Sequence, residues 1–160
     1  MVVDIKAEDL ELSLLALFAG WAMADRVQRR LAADGFGELR INDGVVIQHV
    51  VAGPLSITAL AERMGITQQA ASKAVADLEA RGLVERRRST EDARTRHLHL
   101  TGRGRDAVRA ARTVRAELDA ELAAEFGAGR IAETRELLAG ILTRFDAGDA
   151  IRRRRVRPPI

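Results

Sequence analysis

Apolar residues fall at helical spacing from Leu10 to about Ala33, where Leu14, Leu17, Phe18, Trp21, Met23 and Leu31 recur without proline or a β-branched cluster. Residues 1–9 lack this pattern and read as a loose arm. Gly35-Phe36-Gly37 breaks the first helix. Asn42 can cap a second, running to about Val51 with Val45, Val46 and Val50 inward, and Gly53-Pro54 ends it. Ser56 is placed to cap a third helix, Ile57 to Met64, which Gly65 stops. Thr67 caps a fourth that reaches Arg81, and Gly82 closes it. Residues 59 and 70, three beyond each cap, are both Ala, so neither capping box is complete.

After Gly82 the period changes. Leu83 to Arg88 reads as a short strand, Ser89 to Ala93 as a polar turn, and Thr95 to Leu100 as a second strand with Leu98 and Leu100 on one face. Thr101 then caps a long helix through roughly Phe126. Gly127-Ala128-Gly129 separates it from a last helix, about Arg130 to Phe145. The expected fold is mainly α with a small β-hairpin wing: a winged helix-turn-helix flanked by N- and C-terminal dimerisation helices. The 160 residues form a single domain in this reading. Residues 10–33 and 101–147 supply the dimerisation helices, 41–100 the DNA-binding lobe, and 148–160 a basic tail.

Composition narrows the classes. With 47% hydrophobic residues the chain is globular, and with four Phe, Trp21 and no Tyr its packing falls to Ala, Leu and Val. The absence of Cys excludes disulfides, Cys-ligated zinc and thiol redox sensing. No apolar run reaches the length of a membrane span. No signal peptide is expected around Leu10–Ala24, since acidic residues precede that stretch and no small-residue cleavage site follows. The protein is therefore expected to be cytoplasmic and associated with the nucleoid. Net charge is only +3, yet the pI is about 10.4, because every cation except Lys6 and Lys73 is Arg.

Position along the chain says more than total charge. Residues 83–105 hold seven cations (Arg86, Arg87, Arg88, Arg94, Arg96, Arg103, Arg105) against three anions, whereas in 56–82 three cations balance three anions. The excess lies in the hairpin, where phosphates and a narrow minor groove would meet it. On the fourth helix Ala71, Ala74, Val75 and Leu78 fall on one side, and Gln69, Ser72, Lys73 and Ala76 opposite, with Gln68 near the N-terminus. Gln can read adenine bidentately, and Lys can reach guanine or phosphate. Small Ala side chains keep that face slim enough for a major groove. The expected DNA-binding residues are Ser56, Thr67, Gln68, Gln69, Ser72, Lys73, Arg86, Arg88, Asp92, Arg94 and Arg96. An ordinary solvated helix face and a polar hairpin are the competing explanations.

The run Leu55-Ser-Ile-Thr-Ala-Leu-Ala-Glu-Arg-Met-Gly-Ile-Thr-Gln-Gln-Ala-Ala-Ser-Lys-Ala-Val-Ala-Asp-Leu-Glu-Ala-Arg-Gly-Leu-Val-Glu-Arg86, with Asp92-Ala-Arg94 and Leu98-His-Leu-Thr-Gly-Arg-Gly104, resembles the MarR family of bacterial regulators. The resemblance implies a wing tip at which Asp92 orients Arg94 for the minor groove. It also implies a homodimer with interlocked terminal helices, and ligands bound between those helices and the DNA-binding lobe. No cofactor is implied.

The function this points to is a transcription regulator: a ligand-responsive repressor that binds a pseudo-palindromic operator in double-stranded DNA as a homodimer. A protein-interaction winged helix and a non-specific architectural DNA-binding protein stay open. The dimer surface is expected from Val108, Ala111, Val114, Leu118 and Leu122 on the long helix, and Ile131, Leu138, Ile141, Leu142 and Phe145 on the last. Phe18, Trp21 and His49 are candidates for a small-molecule effector pocket, although plain core is the competing reading for such aromatics. His97 and His99 flank Leu98 without a carboxylate pattern, so no metal is expected. Nothing resembles a nucleophile–base pair or a phosphate loop, so no enzyme is expected.

Overall fold

The computed structural model describes residues 6–40, 43–88 and 96–145. Asn42, the hairpin turn with Asp92 and Arg94, and the basic tail 148–160 lie outside the described residues. After a 3-10 turn at Ala7–Asp9 the chain runs α1 (Leu12–Leu31), a π turn (Ala32–Phe36), α2 (Asp43–Val51), α3 (Ile57–Met64) and α4 (Gln68–Ala80). The strands β1 (Val84–Arg88) and β2 (Arg96–Leu100) follow, then α5 (Gly102–Phe126) and α6 (Ala128–Arg144).

Three hydroxyl caps set the helix starts expected from the sequence. The Ser56 side chain accepts from the Ala59 amide at 3.1 Å, Thr67 from Ala70 at 3.1 Å, and Thr101 from Gly104 at 2.9 Å. Each satisfies one orphan N–H and contributes about 1 kcal/mol. The strands pair antiparallel, in a register running from Val84 opposite Leu100 to Arg88 opposite Arg96. Leu55 adds a one-residue bridge to the free side of β2, with the Leu98 amide donating to its carbonyl at 2.9 Å.

The main core gathers Val46, Ile47 and Val50 of α2 with Leu60, Ala71, Val75, Leu78, Leu83 and Leu98, and closes on Ala107 and Val108 of α5. A smaller core joins Val27 and Leu31 of α1 to Val114 of α5. Phe36 and Leu39, in the α1–α2 connection, pack against both. Val108 and Val114 thus serve packing within the chain and are not available to a partner, which corrects their expected place in a dimer surface. Ile66 is 38% exposed, because it occupies the turn after α3 and not the helix face that points inward. The base of the wing is tight: a Cβ on Gly104 would overlap the backbone carbonyl of Leu83, so α5 begins directly against the start of the hairpin.

Elsewhere the helices are open. α6 buries no residue, and Leu12, Leu14, Leu15, Phe18 and Trp21 of α1 are exposed. Among the described residues no helix is long and apolar enough to cross a membrane.

Candidate nucleic-acid interface

α3 and α4 are joined through Gly65, at φ 66° and ψ 36°, a left-handed conformation that costs other residues a Cβ clash. The Ile66 amide donates to the Ala61 carbonyl at 3.1 Å, the six-to-one bond that closes a helix of this kind. The turn is therefore fixed, and it presents the first turn of α4 outward. Ala71, Val75 and Leu78 are buried on the inner side of α4. Gln68, Gln69, Lys73 and Ala76 are exposed on the outer side, with Ser72 half-buried.

The expected contact residues do not stand alike. Gln69 and Lys73 project from α4 into solvent. Gln68 donates from Nε2 to the Thr58 hydroxyl at 3.1 Å, which ties it back to α3. The oxygens of Ser56 and Thr67 already accept cap bonds, which leaves their hydroxyl protons for an external acceptor. Arg88 and Arg96 are exposed and directly opposed in the hairpin register. Arg86 instead forms an ion pair with Glu79 of α4, Nε to Oε2 3.1 Å, and about a quarter of its side chain is exposed. It braces the wing against α4. Arg87 pairs with Glu85 at 2.5 Å, Arg103 with Glu38, and Arg105 donates to the Leu100 carbonyl at 2.9 Å. The cationic excess counted along the hairpin is thus partly neutralised within the fold, and the exposed pair Arg88 and Arg96 carries what the described strands offer a polyanion.

Sequence reasoning missed Arg81. At the end of α4 its guanidinium donates from Nη1 to Asp43 Oδ2 (2.5 Å) and the Glu38 carbonyl (2.9 Å), and from Nη2 to Asp43 Oδ1 (2.9 Å) and Asp77 Oδ2 (2.6 Å). Its Nε donates to the Asp77 carbonyl (3.2 Å). Hydrogen bonding to Asp43, reinforced by the Asp43 and Asp77 charges against the cost of burial, raises its already high pKa further. The i, i+4 pairing with Asp77 was visible in the sequence, but Asp43 lies thirty-eight residues upstream and nothing local announces it.

A cavity of about 420 Å³ lies between α1, α2 and α5, with Val27, Leu39, Arg40, Asp43, Ile47 and Arg115 in its lining. Phe18 and Trp21, edge to face at 5.5 Å, are on the exposed part of α1 and do not line it, nor does the buried His49. Among the described residues no group of three or more His, Asp or Glu side chains could hold a metal.

Residues 44–95 match the model of the MarR family. No curated protein matches the chain by sequence. Among solved structures, the transcriptional regulator BldR from Sulfolobus solfataricus is similar at 29% identity and TM-score 0.54, over 88% of this chain and 99% of that one. The transcriptional repressor CouR, bound to a 23-mer DNA duplex, is similar at 24% identity and TM-score 0.65, over 87% and 99%. A mutant of S. aureus MepR bound to an oligodeoxyribonucleotide is similar at 18% identity and TM-score 0.61, over 85% and 99%. The protein has the winged helix fold of MarR-type regulators, and residues 44–95 are similar to the MarR family.

Proposed function

We propose that this protein is a sequence-specific transcription regulator that binds double-stranded DNA through α4 and the wing. The observation that carries this reading is the joint exposure of Gln69 and Lys73 on a slim α4 face and of Arg88 opposite Arg96 on the hairpin. The first pair suits base edges in a major groove, and the second suits phosphates. Asp92 and Arg94, between the strands, extend the wing contact in this proposal. A fold shared with chains captured on duplex DNA supports it.

The protein acts as a homodimer in this reading. Exposed Leu12, Leu15, Phe18 and Trp21 on α1 and Leu137, Leu138, Leu142 and Phe145 on α6 are large apolar side chains of the kind that a partner subunit covers. Twofold pairing sets two recognition helices about 34 Å apart, so the operator is a pseudo-palindrome. Phe18 and Trp21 then belong to the dimer surface. A small-molecule effector enters the cavity against Leu39 and Arg40, and its binding releases a repressor from the operator.

Selection of duplexes from a randomised pool, followed by fluorescence anisotropy with and without competitor DNA, tests the function. Convergence on a two-half-site sequence is expected. Equal affinity for every duplex would mean an architectural protein, and no salt-sensitive binding would mean a module that contacts proteins only. Sedimentation at micromolar concentration should give the mass of two chains; a monomer defeats the twofold reading.

A further inference from the structure

Apolar packing holds α4 in place through Ala71, Val75 and Leu78, which are buried on its inner side, but such contacts are non-directional. The Arg81 guanidinium is different in kind. All five of its N–H donors are used, on Asp43, Asp77 and the Glu38 carbonyl, and its side chain is 14% exposed against 10% for that of Asp43. The fork is planar and rigid, so two parallel bonds to one carboxylate fix both distance and orientation. A nearly buried ion pair contributes little net stability beside well-packed apolar groups. Its effect here is directional.

The acceptors on the far side are themselves held. Asp43 opens α2, and its Oδ2 also accepts from the Arg40 amide at 2.7 Å. The connection before it is gripped from two further helices. Gln28 of α1 donates to the Leu39 carbonyl at 2.8 Å. Arg103 of α5 donates to the Gly35 carbonyl at 3.1 Å, pairs with Glu38 and lies over the Phe36 ring at 5.2 Å. Leu39, Arg40 and Asp43 form part of the cavity wall. One end of α4 is therefore anchored to the segment in which both cores and the cavity meet.

We infer that Arg81 is a positioning residue for DNA recognition: through Asp43 it sets the angle at which α4 presents Gln69 and Lys73, and it ties that angle to the cavity wall. The inference rests on the DNA-binding reading above and adds to it a residue that touches no DNA.

The test compares the full-length wild type with Arg81→Lys, Asp43→Asn and the double variant on a duplex selected by the wild type and on a scrambled one. Measurement is well below the melting temperature of each variant. Lys keeps the charge but cannot reproduce the planar fork. The expected result is an affinity at least tenfold weaker for the selected duplex, little change for the scrambled one, an unaltered slope of log K against log salt, and a double variant no worse than the poorer single one. A residue that only stabilises the fold would lower the melting temperature and leave affinity and discrimination intact in the folded protein; that outcome overturns the inference. A slope flatter by about 0.9 also overturns it, because Arg81 would then be a phosphate contact. If Arg81→Lys does not fold, the milder Asp43→Asn decides by the same criteria. Failure of the wild type itself to bind DNA refutes the preceding reading and this one together, whereas normal binding by folded variants refutes this one alone.

Discussion

Arg96→Gln should change stability and DNA affinity in different directions. Side chains directly opposed on antiparallel strands keep their Cβ atoms about 4.5–5.5 Å apart, and Arg96 stands opposite Arg88 at the end of the hairpin. Two guanidinium charges about 6 Å apart repel by about 0.7 kcal/mol in water. With a Debye length of about 8 Å, physiological salt cuts that roughly in half. Removing one charge while keeping a long polar side chain therefore leaves the free protein as stable as before, or more stable by about 0.3 kcal/mol. A phosphate placed between the two arginines reverses the balance, so the same substitution weakens the complex. Loss of one phosphate contact flattens log K against log salt by about 0.9, so the affinity ratio of wild type to variant shrinks about 3.5-fold between 50 and 200 mM salt. Urea unfolding of the free protein and anisotropy titrations on the selected duplex over that salt range supply both numbers. An unchanged slope would refute the wing contact, and lower stability of the free variant would refute the proposed repulsion.

Gln69→Ala should alter preference at one base pair by about 1–3 kcal/mol with the salt slope intact, whereas Lys73→Ala should weaken binding to every duplex and flatten the slope; equal loss on all sequences for Gln69→Ala removes it as a base reader. Gly104→Ala forces a methyl group into the Leu83 carbonyl and should destabilise the fold by about 1–3 kcal/mol in urea; a neutral result would mean that α5 can withdraw from the hairpin without cost. Acid should loosen the chain through Glu38 and Glu121. A bond to its own backbone amide and then Arg103 hold the Glu38 carboxyl below its ordinary value of 4.5, and Arg30 with Arg26 does the same for Glu121. Depressed carboxyl values mean stability that is complete above about pH 4.5 and lost as pH falls through the folded values. Glu38→Gln and Glu121→Gln should therefore each flatten the acid limb of urea midpoints, and parallel curves would exclude them.

The order of helices, their caps and the hairpin were legible because each has a local cause. Ser56, Thr67 and Thr101 cap by bonds that span three residues, and Gly65 ends α3 by its own conformation. The outer and inner faces of α4 follow from its 3.6-residue period. What the sequence did not disclose depends on partners far along the chain. Arg86 counts as a wing cation until Glu79 is found beside it, and Arg81 counts as one of three balanced charges until Asp43 is. The aromatic pair Phe18 and Trp21 suggested a pocket, yet the cavity is walled by aliphatic and charged residues such as Val27, Leu39 and Asp43, whose types mark no site in isolation. Ile66 is as apolar as the core residues around it, yet the turn that carries it points outward.

The two halves of the molecule are unequally complete, which bears on how a signal would travel. The lobe from α2 to the wing closes its own core with Leu60, Leu78, Leu83 and Leu98 at no more than 1% exposure. α6 buries nothing, and helices in proteins draw most of their stability from packing and not from propensity, so its order within the protein depends on what covers it. α5 belongs to both halves. It spans twenty-five residues, about 37 Å at 1.5 Å per residue, from the tight seat of Gly104 under the hairpin to the junction with α6. A rigid rod seated so closely at the wing cannot tilt at its far end without carrying the wing with it. In the proposed dimer, pairing of the exposed helices would therefore govern the spacing of the two lobes, while the Arg81–Asp43 bond would govern the aim of α4 within each. Half-site spacing and half-site reading would then be set by different residues and open to separate mutation.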